Sequence, residues 1–182
     1  MSDGDTLIAA IHGAFADVTY PGDDDLAPRS YGPEPEELVA AFQGHTDWRT
    51  VPARTLDRTC DGSALAFFSD AALRFYLPAY LCADLRGELA LAAPEVRLTA
   101  GLSAQSEGER LAKAWGGGTA GDHARRAFDP LDPAQAAAVI TYLRWKQVRG
   151  GDDLQISEAI ERYWLGRAAD VKMWQEMEGV AR

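Results

Sequence analysis

Three consecutive aspartates, Asp23, Asp24 and Asp25, follow the Pro21-Gly22 turn and offer the densest set of carboxylates in the chain. Clustered carboxylate oxygens suit a divalent cation, which takes several oxygen ligands. The run lacks a calcium-loop pattern and no matching ligand set lies close in sequence. Turn residues that are solvated, or that cap a backbone amide, are the plainer expectation. Further on, His45, Asp47, Trp48 and Arg49 share one loop. A His–Asp pair there could act as a base with its orienting partner, although a spacing of two in a loop fixes no geometry. Dispersed residues such as Asp24, His45 and Asp47 would then make a hydrolase site.

The remaining reactive groups give weaker signals. His12 borders the apolar face of an early helix and reads as a partly buried, hydrogen-bonded histidine. His123 adjoins Arg125 and Arg126, a small basic spot that could hold an anion. Cys82 falls on an apolar helix, where a buried, inert thiol is expected, and Cys60, in Thr59-Cys60-Asp61-Gly62, reads as more exposed. Neither cysteine has metal-ligand spacing. Ser63 and Ser69 read as local capping residues, since no GxSxG occurs. Gly116, Gly118 and Gly121 satisfy GxGxxG, but a dinucleotide site needs that pattern between a strand and a helix. Here it reads as a flexible loop, and no cofactor or metal is expected.

The elements that must position these residues read as helices. Leu7, Ile8, Ile11, Phe15 and Val18 recur at helical spacing behind Asp5 or Thr6 as N-cap. Pro35, with Glu36 and Glu37 in the first turn, opens a second, weaker helix that Gly44 ends. One turn of helix is expected over 52–56. Ser63 to Leu85 is the organising segment. Ser69 is its N-cap, and Leu73, Tyr76, Leu77, Tyr80, Leu81 and Leu85 form one apolar stripe, with Phe75 and Cys82 on another flank. Pro78 lies inside the stripe, so a kink is expected. Residues 87–128 give a helix end, a loop around Pro94, a short polar helix over Gly108–Trp115 and the glycine cluster. Asp132, Pro133 and Gln135 then form a capping box with proline at the first helical position. Gly150-Gly151 stops that helix, and Asp152 or Asp153 starts the next, with Ile156, Ala159, Ile160, Tyr163 and Trp164 inward and Glu158–Arg162 as an exposed i,i+4 pair. Tyr76, Tyr80, Tyr142, Trp145, Tyr163 and Trp164 read as an aromatic core with hydroxyls at its edge, or else as a groove for a partner segment.

The resulting fold class is mainly α. It is an irregular single-domain helical bundle with a central proline-kinked helix, a C-terminal antiparallel helix pair and a flexible glycine-rich loop at 116–121. A formal charge of −10 argues against nucleic acid and anionic membrane surfaces, and it suits a basic protein partner. No apolar run reaches a membrane span, and no signal-peptide pattern opens the chain, so a bacterial-type cytosol is the expected location.

Tyr20-Pro21-Gly22-Asp23-Asp24-Asp25, His45-Thr46-Asp47-Trp48-Arg49, the Ser63–Leu81 run and Glu161-Arg162-Tyr163-Trp164 together carry a resemblance. The chain resembles a bacterial family known only as a domain of unknown function, marked by a PGDD-like turn, a W-R loop and an F-x-Y-L-P-A helix. The resemblance covers most of the chain and is most specific from Pro21 to Leu85, with 116–121 looking like an individual insertion. It implies that Gly22, Asp23, Asp24, Trp48, Arg49, Tyr76, Pro78 and Tyr80 are shared, structural features. It implies no reaction, cofactor or catalytic residue. The expectation is a small acidic protein-binding module of immunity or adaptor type. A hydrolase is the alternative, and residues 23–25, 45 and 47–49 are the loops to inspect for either.

Overall fold

The computed structural model describes residues 3–28, 32–112, 117–151 and 153–168. The chain is mainly α-helical, and the described residues contain no strand, only an isolated bridge between Arg110 and Thr119. It divides into two compact units, Met1–Arg97 and Leu98–Arg182.

In the first unit, α1 (Asp3–Ala14) buries Leu7 and Ile11, and Phe15 is buried just beyond its end. α2 (Pro33–Phe42) begins two residues before Pro35, because Pro33 occupies the first position, where the missing N–H leaves no helical bond unmade. α3 (Ala53–Arg58) is the expected short turn. α4 (Asp70–Leu85) is capped by Ser69, whose Oγ accepts from Ala72 N at 3.1 Å. That hydroxyl also donates to the Asp25 carbonyl at 2.6 Å, so one side chain starts the helix and pins the acidic turn.

α4 runs unbroken through Pro78. From Ala72 to Ala83 every residue except Arg74 is buried, so the helix is enclosed on nearly all sides rather than on two flanks. Phe42 and Phe68 pack on each other and on Tyr76 of this helix with ring centroids 4.8 to 5.2 Å apart. Such aromatic pairs contribute roughly 0.5–1.5 kcal/mol beyond area burial. This packing offsets an interior proline's cost of about 3 kcal/mol. Pro78→Ala should therefore keep the fold and leave Tm unchanged or raised in calorimetry. A large loss of Tm would mean that the pyrrolidine ring itself fills the core.

Pro94 starts a helix, α5 (Pro94–Thr99), where a loop was expected. The first turn of a helix tolerates proline well. In the second unit, the expected polar helix over Gly108–Trp115 does not form in its described part. Instead Glu109 O accepts from Ala120 N at 2.8 Å, Glu107 O from Gly121 N at 3.0 Å and Gly118 O from Leu111 N at 3.1 Å. These ladder-like bonds take the carbonyls and amides that a helix would need. Lys113 to Gly116 lie outside the described residues. The last two residues of the glycine cluster belong to α6 (Ala120–Phe128), which Thr119 caps.

α7 (Pro133–Gly150) shows both hydrogen bonds of the expected capping box. Gly151 ends it, and Asp153 caps α8 (Leu154–Ala159); Asp152 lies outside the described residues. Gln147 in the last turns of α7 donates to Ser157 in the first turn of α8 at 2.8 Å, as an antiparallel pair requires. The helix then widens into a π turn over Ile160–Trp164. That turn rotates Arg162 away from Glu158, so the expected i,i+4 pair is not made. Glu158 accepts instead from Ala104 N, and Arg162 pairs with Glu107. Among the described residues, no helix is long and apolar enough to cross a membrane.

Candidate functional site

The first unit brings the sequence-predicted residues into two groups. In one, the 3-10 turn of Asp23–Asp25 is fastened to the end of α2. Asp23 Oδ1 accepts from Gly44 N at 2.9 Å and from the Tyr20 hydroxyl. Those donors, the phenol first, hold the Asp23 carboxyl below the usual carboxylate range. Partial burial and the Asp23 carboxylate push the Tyr20 phenol up to about 12. The backbone carbonyl of His45 accepts from Tyr76 at 2.8 Å. Asp24 and Asp25 are exposed, and neither carboxylate has a hydrogen-bond or ionic partner among the described residues. Among those residues, no group of three or more His, Cys, Asp or Glu side chains could hold a metal ion.

In the other group, Asp47 caps a 3-10 turn of Trp48–Thr50. Its Oδ1 accepts from Arg49 N at 3.0 Å and from Arg49 Nη1 at 3.2 Å, so Asp47 orients Arg49 rather than His45. The Arg49 guanidinium lies over the Trp48 ring, 4.5 Å from its centroid. Trp48 is buried and meets the His12 ring edge-on at 4.9 Å. His12, expected as a hydrogen-bonded histidine, is thus held by an aromatic contact. Burial lowers its pKa, the positive charges of Arg49 and Arg86 lower it further, and Asp47 works against them.

These residues rim a cavity of about 30 Å³, enough for one or two water-sized groups. Half-exposed His12 and exposed Arg49, Arg86 and Glu88 line its outer part, and the buried Trp48, Leu56, Ala79, Cys82 and Ala83 line its floor. Ala79, Cys82 and Ala83 on α4 and its C-cap residue Arg86 recur at i, i+3, i+4 and i+7, and two of them are small enough to leave space. That spacing was the available signal for Arg86, which sequence reasoning missed together with Glu88, while His12 was read as a structural histidine rather than as part of a site. Trp48 Nε1–H is buried, and no protein group among the described residues accepts from it. A buried donor left unsatisfied costs about 1–3 kcal/mol.

The loop carrying Glu88 is held from below. Asp57 is 4% exposed, and its Oδ1 accepts from Ala90 N, Leu91 N and Ala92 N at 2.7, 2.7 and 3.0 Å. Burial opposes its charge, but these three donors, with Arg58 at 3.4 Å, outweigh burial and keep the carboxyl below the ordinary range. Cys60, Asp61 and Gly62 follow in left-handed conformation, with φ of 51°, 50° and 85°. Cys60 is buried rather than exposed, because this turn folds its thiol onto the Glu34 carbonyl at 3.3 Å. Burial first, then nearby carboxylates, pushes the thiol up to about 11. Cys82 is likewise pushed up to about 11 by burial, against the pull of Arg86.

In the second unit, the basic spot at His123 is balanced locally, since Arg125 pairs with Glu107 at 3.2 Å. Tyr142 and Trp164 are fully buried, as are Tyr76 and Tyr80 in the first unit, whereas Trp145 and Tyr163 are half-buried, so four of the six aromatics fit a core. Trp164 Nε1 donates to Leu98 O at 3.0 Å.

No curated protein and no solved structure matches the chain. A family model matches residues 3–168, that of a family of unknown function, DUF6714.

Proposed function

Since the chain belongs to DUF6714, a family of unknown function, we propose from its own chemistry that it is a non-catalytic binding module for a basic protein partner in a bacterial cytosol, of immunity or adaptor type. The observation that carries this reading is where the charge lies. Residues 1–97 hold 16 Asp and Glu against seven Arg, a net −9, while residues 98–182 hold 12 acids against 11 bases, a net −1. A field confined to one unit steers an oppositely charged partner toward that unit. The fastened Asp23–Asp25 turn presents two carboxylates, Asp24 and Asp25, that have no other partner among the described residues. A prearranged acidic turn costs little ordering entropy on binding.

The test is affinity capture from the native host with the wild-type chain and with Asp24→Lys/Asp25→Lys. A basic protein retained at low salt by the wild type, and at least tenfold less by the variant, is expected. Equal retention by both, or substrate turnover in a hydrolase screen, would overturn the reading.

A further inference from the structure

The cavity in the first unit is lined by two arginines, although that unit carries a net charge of −9. We infer that the pocket of His12, Trp48, Arg49 and Arg86 binds a carboxylate group. The inference stands independently of the basic-partner reading.

Its donors converge from three separate segments of the chain: α1, the Trp48 turn and the end of α4. Trp48 is 2% exposed, lines the pocket and carries an N–H that no protein group among the described residues accepts. Arg49 is fixed by stacking on Trp48 and by Asp47, which engages Nη1 and leaves the other guanidinium N–H groups available. The Arg86 guanidinium makes no ion pair among the described residues. A planar guanidinium matches a carboxylate bidentately. The floor of Leu56, Ala79 and Cys82 is buried and apolar, which strengthens any charged hydrogen bond made above it.

Size and charge narrow the ligand class. About 30 Å³ admits a single compact group, with the rest of its molecule left in solvent. The rim also carries Glu88, and Asp47 stands behind Arg49. Those two carboxylates repel a doubly charged phosphate or sulfate more than a singly charged carboxylate. The carboxylate could belong to a free small acid or to an Asp or Glu side chain of a peptide.

The test follows the Trp48 indole N–H cross-peak of the full chain by NMR at pH 6.5, with the peak assigned by Trp48→Phe. Two probes are used: sodium acetate for a free acid and N-acetyl-aspartyl amide for a peptide side chain. A saturable shift with either probe is expected, weakened at least tenfold in Arg86→Gln, and the tighter probe identifies the source. Arg86 is exposed, so this variant leaves the core intact. Sodium chloride or sulfate giving the same shift at equal ionic strength, no saturation, or unchanged binding in Arg86→Gln would overturn the inference.

Discussion

Asp57→Ala should lower the stability of the first unit by about 3–4 kcal/mol in urea unfolding. The substitution removes a charged acceptor from three backbone N–H groups and leaves that of the buried Ala92 without a partner. Hydrogen bonds to charged groups contribute about 1.5–3 kcal/mol each, and the exposed positions of Ala90 and Leu91 let water recover part of the loss. Asp57→Asn keeps an acceptor oxygen and loses the charge, so a loss of about 1–2 kcal/mol is expected. The pH dependence has a definite sign. The folded pKa of Asp57 is depressed, so its contribution is present above the unfolded value of about 3.9 and disappears as pH falls through the folded value. The gap between wild type and Asp57→Asn should begin to narrow below about pH 4 and close once the pH is below the folded value. A gap that does not narrow at all as the pH is lowered from about 4, or an alanine variant as stable as wild type, would remove the charge from the account.

Gly62→Ala should be comparably damaging, at about 2–4 kcal/mol. At φ of +85° a side chain is strained, and the added Cβ would lie 2.7 Å from Leu91 C and 2.9 Å from Ala92 N. Backbone atoms on that loop would have to move. Gly87→Ala is the control, because Gly87 has φ of +71° but nothing within 4 Å of an added Cβ. It should show the conformational strain alone, about 1–2 kcal/mol. Asp57 and Gly62 grip the same loop from two directions, so the double variant Asp57→Ala/Gly62→Ala should lose less than the sum of the single losses. Strict additivity would show that the two act on separate parts of the structure.

The parts of the fold that were legible in sequence are those whose bonds close within a few residues. The Asp132–Gln135 capping box, the Ser69 cap and the Gly151 stop each depend on neighbours within one turn, and each is present. What sequence missed depends on distant partners. Nothing beside Asp57 in the sequence marks it out until residues 90–92 are brought to it. Glu158 and Arg162 have favourable spacing, yet a π turn and two more distant groups separate them. The site divides in the same way. Trp48 and Arg49 stood out locally, but the cavity exists only because α1 brings His12 and α4 brings Arg86 to them. Residues 23–25 and 45, the other half of the predicted set, gather at a separate corner, where Asp23 and the His45 carbonyl work as backbone fasteners.

The two cysteines have a practical consequence. Both are buried, 6% and 2% exposed, and both hold their protons to about 11. Thiolate is the form that attacks maleimides and disulfides, so at neutral pH the native chain is nearly silent to such reagents. One cysteine introduced on the surface, for instance at Asp24 or Glu36, would be a unique chemical handle without first removing the native pair. A fluorophore or cross-linker could then be set on the acidic turn or on α2 while the core keeps its own sulfur.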